Sequence, residues 1–323
     1  MNEFELIARL THSLPANKSV VVGPGDDCAV LDFGLPDRLL LFKTDAVVEG
    51  IHFQSDAPPE KIGHKALGRC LSDIAAMAGT PTAALVTLAL PQQFNPDAVE
   101  RIYAGMTALA RKHDVAIVGG ETTTNPGRLL LSVAVLGHVL RGKATLRSSA
   151  EAGDALWVTG NLGGSLLSRK HLEFEPRLAE ARWLTQHFSI HAMIDVSDGL
   201  AGDLRHILKA SRVGAELLAA SIPISRAAKE ASRNRAREDE GRLPAQGGGG
   251  KSPLLAALSD GEDFELLFTV ASRDAVKLLD AWRKKFPKLK LSCIGKIVAG
   301  GGILIRDKTG AQELTAHGYV HFS

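Results

Sequence analysis

The residues with the greatest capacity for chemistry are carboxylates set in short turns beside glycine. Gly25-Asp26-Asp27-Cys28-Ala29, Thr44-Asp45, Ser72-Asp73, Gly119-Gly120-Glu121-Thr122, Asp195-Val196-Ser197-Asp198-Gly199 and Gly261-Glu262-Asp263 run through the whole chain. Most lie beside apolar runs that read as strands or buried helices, so the acids are expected to converge at the rim of a core. Two like charges about 4 Å apart repel by roughly 4 kcal/mol at an effective dielectric near 20. A convergent cluster therefore needs protons or cations, and oxygen-only ligands suit Mg²⁺. Mg²⁺ is commonly held by a few carboxylates together with substrate phosphates, which points to an enzyme acting on nucleotide phosphates.

Each motif also has a plainer reading. Asp26-Asp27 fits a simple turn, since Asp favours turns beside Gly. Asp73 could pair with Arg69 one helical turn away, for a few tenths of a kcal/mol. Ser197 or Asp198 could cap a helix, although capping does not account for the whole Asp195-Ser197-Asp198 set. Gly160-Asn161-Leu162-Gly163-Gly164-Ser165 follows a strand and could cradle phosphate, but it lacks the Lys-Ser/Thr ending of a P-loop and serves equally as a tight turn.

The elements that must position these residues alternate between strand and helix. Leu39–Phe42 is a short strand expected to deliver Thr44-Asp45 at its end. Pro58-Pro59 precedes a helix from about Glu60 to Ala78, and Asn95-Pro96 starts a second helix ending near His113. Val115–Val118 is a strand ending in the Gly119-Gly120-Glu121 turn, and Leu129–Val139 is another. The composition turns small and polar around Arg141 to Gly153, the expected boundary between domains 1–145 and 146–323. The second half restarts with the strand Ala155–Thr159, the Gly-rich turn and a helix. Asp195 to Gly199 marks a strand end entering a helix. Phe264–Val270, Leu291–Val298 and Ile303–Arg306 are further strands. Residues 225–251 are rich in Arg and Glu and then in Gly, and read as a solvated helix with a flexible linker.

A length of 323 residues suits two domains rather than one core. The net charge of +2 offers no footprint for nucleic acid. Cys28, Cys70 and Cys293 are odd in number and have no CxxC spacing, so they read as free thiols in a reducing cytoplasm. The N-terminus is acidic and lacks an apolar signal core. The uncharged run from Ile74 to Pro96 is interrupted by Gly79, Pro81 and Pro91, and reads as helix end, turn and buried strand rather than a membrane span.

In their order, these motifs resemble the thiamine-monophosphate kinase family, within the superfamily that includes aminoimidazole ribonucleotide synthetase. The likeness rests on Gly25–Ala29, Thr44–Phe53, Lys65–Leu67 with Leu71–Met77, Gly119–Thr122, Arg147, Val158–Gly160, Ile194–Leu200, Gly261–Leu267 and Gly318–Phe322. It spans nearly the whole chain apart from 225–251. The resemblance implies ATP-dependent phosphorylation of thiamine monophosphate to the diphosphate, with several Mg²⁺ ions and no covalent nucleophile. It implies an α/β (α+β type) two-domain subunit, whose N-terminal mixed sheet pairs in a homodimer and whose C-terminal domain is α/β. It assigns metal binding to Asp27, Thr44, Asp45, Asp73, Glu121, Asp195 and Asp198. ATP falls to Tyr103, Gly120, Glu121, Arg147 and Ser197, and thiamine monophosphate to His52, Glu262 and Tyr319.

Five positions depart from that pattern. Lys43 replaces a small Ser, Glu121 an Asp, Arg69-Cys70 an apolar residue with Asn, and Asp260 a Gly. Lys43 is expected to alternate outward from the Thr44-Asp45 pair, keeping its ammonium away from the cations. The departures leave open another ATP-using enzyme of the superfamily, or a catalytically weak nucleotide- and metal-binding protein with Lys43 at a cation position.

Overall fold

The computed structural model describes residues 3–239, 251–316 and 318–319. The chain divides into two compact units. One comprises Arg9–Ala144 with Leu172–Thr185, the other Met1–Ala8, Thr145–His171 and Gln186–Ser323. Among the described residues no helix is long and apolar enough to cross a membrane.

After helix α1 (Glu3–Thr11), most of which is counted with the other unit, the first unit runs through β1 (Val20–Val22), β2 (Ala29–Leu31), β3 (Arg38–Val48), α2 (Pro59–Ala76), β4 (Thr80–Leu90), α3 (Pro96–Lys112), β5 (Ala116–Thr124) and β6 (Leu130–Leu140). Its strands lie in the order β1-β2-β3-β6-β4-β5, with β4 and β5 parallel and the other neighbours antiparallel. The helix-facing side carries Leu39, Leu41, Val47, Val86, Leu88, Leu131, Val133 and Val135, all buried. The other side leaves Phe42, Leu85 and Leu136 exposed.

Both helices start where the prolines predict, and the Asn95 side chain caps α3 by accepting from the Asp97 N–H. The two helices cross unusually closely. A Cβ on Gly63 would lie 1.8 Å from the Ile102 carbonyl oxygen, and one on Gly105 would lie 1.9 Å from that of Glu60.

Two strands are longer than the sequence suggests. β3 runs on through Asp45 to Val48 because it pairs with β6 over its full length, from Arg38↔Leu140 to Val48↔Leu130. Thr44-Asp45 thus lies mid-strand, where the backbone ladder overrides the polar side chains. Gly119-Gly120-Glu121 is likewise not a turn but part of β5, entered through a register shift opposite Ala84/Leu85. A Cβ at Gly120 would stand 1.7 Å from the Val86 carbonyl oxygen, so glycine permits the approach.

The second unit contains β7 (Asp154–Thr159), β8 (Ile190–Asp195), α5 (Leu200–Ser211), β9 (Gly214–Leu218), α6 (Arg226–Asp239), α7 (Pro253–Ser259), β10 (Leu266–Ala271), α8 (Ala275–Lys285), β11 (Leu291–Val298), β12 (Ile303–Asp307) and β13 (Gly310–Glu313); α4 (Leu178–His187) lies mostly in the first unit. The strand order is β13-β12-β9-β11-β7-β10-β8, all antiparallel except β9 with β12. Its core gathers Leu156, Ile194, Leu204, Ile207, Leu267 and Ile297. The Gly-rich segment after β7 does not pass into an α-helix as expected. It makes turns with positive φ at Gly163 and Gly164 and then a 3₁₀ turn at Lys170–Leu172. Of the stretch 225–251, Arg226–Asp239 is helical and 240–250 lies outside the described residues.

Candidate active site

In the first unit two of the expected metal-binding acids, Asp27 and Asp73, come together, and a third, Asp45, is tied to Asp73 through Lys43. Asp45 projects from β3 and Asp73 from the last turns of α2, with Asp27 in the turn before β2. Asp27 and Asp73 are buried and offer carboxylate oxygens within 4.8 Å of each other. Lys43 does not point outward. Its Nζ lies 3.1 Å from Asp73 Oδ1 and 3.7 Å from Asp45 Oδ1. The reason is the two-residue period of a strand: residue 43 is opposite Thr44 but shares its face with Asp45. Burial opposes the charge on Lys43, yet Asp73 and Asp45 outweigh it and hold the ammonium well above its ordinary range. Arg69 Nε adds a second cation 3.9 Å from Asp45 Oδ2.

Thr44 and Glu121 lie elsewhere. The Thr44 hydroxyl is on the opposite, exposed side, 3.4 Å from Ser132 Oγ. Glu121 pairs with Thr87, which pairs with Ser132, which pairs with Ala46, so its exposed side chain shares that outer side. Three strand spacings, about 14 Å, separate it from β3. Gly120 sits beside it on the edge strand, and Tyr103 is on α3 with its phenol raised by burial.

Cys28 and Cys70 are buried near the acids. Burial first, then Asp73 for Cys28 and Asp45 for Cys70, pushes both thiols well up, so they stay neutral. They therefore do not offer thiolates, and the donor set is hard oxygen throughout, which fits Mg²⁺ and not a soft metal.

His52 occupies the turn after β3, not a strand. Its Nδ1 accepts from the Val48 N–H at 3.1 Å, which leaves the ring proton of the neutral form on Nε2. The fully buried Lys65 donates to the His52 carbonyl at 2.5 Å, fixing the turn from beneath.

In the second unit the turn Asp195–Gly199 is a hub. Gly199 is the N-cap of α5 and no side chain caps it, so Ser197 and Asp198 are not caps. The Gly261–Phe264 segment docks on this turn. The Glu262 N–H donates to the Ser197 carbonyl at 2.6 Å and the Phe264 N–H to that of Val196 at 2.7 Å. Glu262 and Phe264 both adopt positive φ, at 59° and 50°, a strained arrangement for residues with side chains. The Tyr319 N–H donates to the Asp198 carbonyl at 2.8 Å, bringing the C-terminal segment to the same place. Ser197, Asp198, Glu262 and Tyr319 thus converge from three distant stretches; Val320 to Phe322 lie outside the described residues.

Arg147 opens a 3₁₀ turn whose carbonyl accepts from Ser211 Oγ. Asp203, which sequence reasoning missed, is buried on α5 and accepts from the Asp198 N–H at 3.1 Å. Burial, then Asp198 and Asp195, raises it well above the usual carboxylate range, while Arg147 pulls it down. Beneath the Glu262 turn, Glu265 is held by Lys170 Nζ at 2.8 Å and by the Thr159 hydroxyl at 2.8 Å. Asp263 accepts from the Gly163 N–H, and Asp260 from the Gly164 N–H.

Known proteins resemble this chain over nearly its whole length. The family described as AIR synthase related protein, N-terminal domain, matches residues 25–139, and the corresponding C-terminal domain matches 147–308. The thiamine-monophosphate kinase of Rhodopirellula baltica is 41% identical over 319 residues, covering 96% of this chain and 93% of the relative. The chain belongs to the thiamine-monophosphate kinase family. Among solved members, AaThiL complexed with AMPPCP and TMP superposes with a TM-score of 0.78 at 28% identity, covering 99% of this chain and 97% of that one. The thiamine-monophosphate kinase of Stenotrophomonas maltophilia superposes with a TM-score of 0.72 at 34% identity, covering 94% and 96%.

Proposed function

We propose that this chain transfers the γ-phosphoryl group of ATP to thiamine monophosphate, giving ADP and thiamine diphosphate. The observation that carries this reading is its kinship with thiamine-monophosphate kinases over almost its full length, including AaThiL complexed with AMPPCP and TMP. Both reactants are anionic at the reacting phosphates, so their approach requires positioning and charge neutralisation more than covalent chemistry. Asp27, Asp45 and Asp73 in the first unit, and Asp195 and Asp198 in the second, would hold Mg²⁺. When bound, Mg²⁺ supplies neutralising charge to the transferring phosphoryl group. Thr44 and Glu121 stand apart from the first of these sets, because their side chains share the outer side of the sheet.

Tyr103, Gly120, Arg147 and Ser197 would contact ATP. His52 would address thiamine monophosphate from the Lys65-braced turn, and Glu262 and Tyr319 from the segments bonded to the Ser197-Asp198 backbone. Attack by the acceptor phosphate oxygen on the γ-phosphorus then needs no protein nucleophile. The exposed apolar side chains of Phe42, Leu85 and Leu136 on one side of the first unit's sheet support pairing of two copies through that side. The free thiols Cys28 and Cys70 support a reducing, cytoplasmic setting.

The test is product identification. Incubated with ATP, Mg²⁺ and thiamine monophosphate, the protein yields thiamine diphosphate resolved by chromatography. ADP release with no thiamine diphosphate refutes the assignment.

A further inference from the structure

Lys43 is held between two of the acids that would bind metal. Its ammonium is 3.1 Å from Asp73 Oδ1 and 3.7 Å from Asp45 Oδ1, so one positive centre bridges carboxylates from β3 and α2. The side chain is enclosed, with only 22% of its surface exposed. Arg69 reaches Asp45 from the neighbouring turn of α2, Nε at 3.9 Å from Oδ2. Asp27, Asp45 and Asp73 against Lys43 and Arg69 leave a single net negative charge.

A carboxylate trio without such partners would draw more than one divalent ion, because each remaining carboxylate pair repels strongly in a site shielded from water. Here the ammonium already occupies the point between Asp45 and Asp73 that an ion bridging those two oxygens would need. Both cannot sit there, since ammonium and Mg²⁺ would compete for the same oxygens and repel each other.

We propose that Lys43 is a tethered cation that replaces one divalent ion at the Asp45–Asp73 pair, so that this chain's first unit binds one ion fewer than its carboxylates would otherwise take. This rests on the reading that Asp27, Asp45 and Asp73 form a divalent-cation site. It gives Lys43 a positioning role: it keeps Asp45 and Asp73 together before any ion arrives, which a diffusible ion cannot do.

The experiment counts ions directly. Mn²⁺ bound per chain is measured by equilibrium dialysis and by electron paramagnetic resonance, without nucleotide, for the native protein, K43S, K43M and K43R. K43M retains the aliphatic stem and so preserves packing if K43S folds poorly. The expected result is one additional Mn²⁺ per chain in K43S and K43M, with the native count in K43R. The metal-free K43S and K43M proteins should also melt lower than native, and Mn²⁺ should restore them by a larger shift than it gives the native protein. Equal stoichiometry in all four proteins would overturn the proposal alone. Mn²⁺ binding to none of them would overturn the metal reading and the proposal together. Kinase activity is assayed separately, so an inactive native protein whose K43S variant gains an ion would refute the activity and leave the Lys43 assignment standing.

Discussion

Asp263 offers a sharp test of the electrostatics beneath the Glu262 turn. The residue is 1% exposed, and its Oδ2 accepts from the Gly163 N–H at 2.8 Å. Oδ1 meets no hydrogen-bond donor among the described residues. Burial raises the carboxyl from 3.8 to about 7, with Glu265 and Asp260 adding to the rise and Lys170 and the Gly163 N–H opposing it. Below pH 3.8 both folded and unfolded chains hold the proton, and the site costs nothing. As pH rises from there to 7 the unfolded chain releases the proton while the folded one retains it, so stability falls with pH; above 7 the loss levels off. At 1.36 kcal/mol per tenfold change in proton affinity, the loss is about 2 kcal/mol at pH 5 and about 4 kcal/mol at pH 8. Asp263→Asn keeps an oxygen for the Gly163 N–H and removes the ionisation. Urea unfolding of ligand-free protein should therefore show the variant gaining about 2 kcal/mol more over native at pH 8 than at pH 5. In thermal scans at pH 8 the variant should melt roughly 10 °C higher, at about 2–4 °C per kcal/mol for a unit of this size. Parallel stability profiles across pH 5 to 8, or a variant less stable than native at pH 8, would refute the reasoning.

Two further substitutions probe other parts of the structure. Tyr319 is anchored through its backbone N–H to Asp198, so Tyr319→Ala removes only the ring; KM for thiamine monophosphate should rise about fivefold, roughly 1 kcal/mol, with KM for ATP within about twofold. Equal change in both constants would show that the ring does not address the thiamine. Gly63→Ala should destabilise the first unit by about 1–3 kcal/mol in urea unfolding, since the added methyl meets the Ile102 backbone carbonyl, which cannot rotate away; a loss under about 0.5 kcal/mol would show that the two helices separate freely.

How much of this was legible in the sequence depends on the range over which each feature is determined. Helix starts were legible because proline and Asn95 act on their own turn, and α2 and α3 begin where those signals stand. The strand ends were not, because a ladder partner decides them: β3 extends through Thr44-Asp45 only because β6 continues opposite, ninety or so residues on. The same holds for Gly119-Gly120, which reads as a turn locally and becomes part of a strand once β4 lies beside it, just past a register shift at Val118. Among the acids, the turn motifs announced themselves, but the residues that tune them did not. Lys170 with Glu265, Asp203 with Asp198, and Lys65 with the His52 carbonyl are contacts that tertiary packing creates, and no local pattern pairs their members.

Lys43 is the instructive case, since its placement was available from the two-residue period of a strand alone. If residues 43 to 45 are extended, period two forces Lys43 and Asp45 to one face and Thr44 to the other, and the burial of Leu39, Leu41 and Val47 says which face is inside. The expectation of an outward Lys43 already took the segment as extended and failed because it treated the adjacent Thr44 and Asp45 as facing the same way. The chemistry of a carboxylate cluster is set by which cations face it, and here the alternation along one strand is what turns Lys43 toward Asp45 and Asp73.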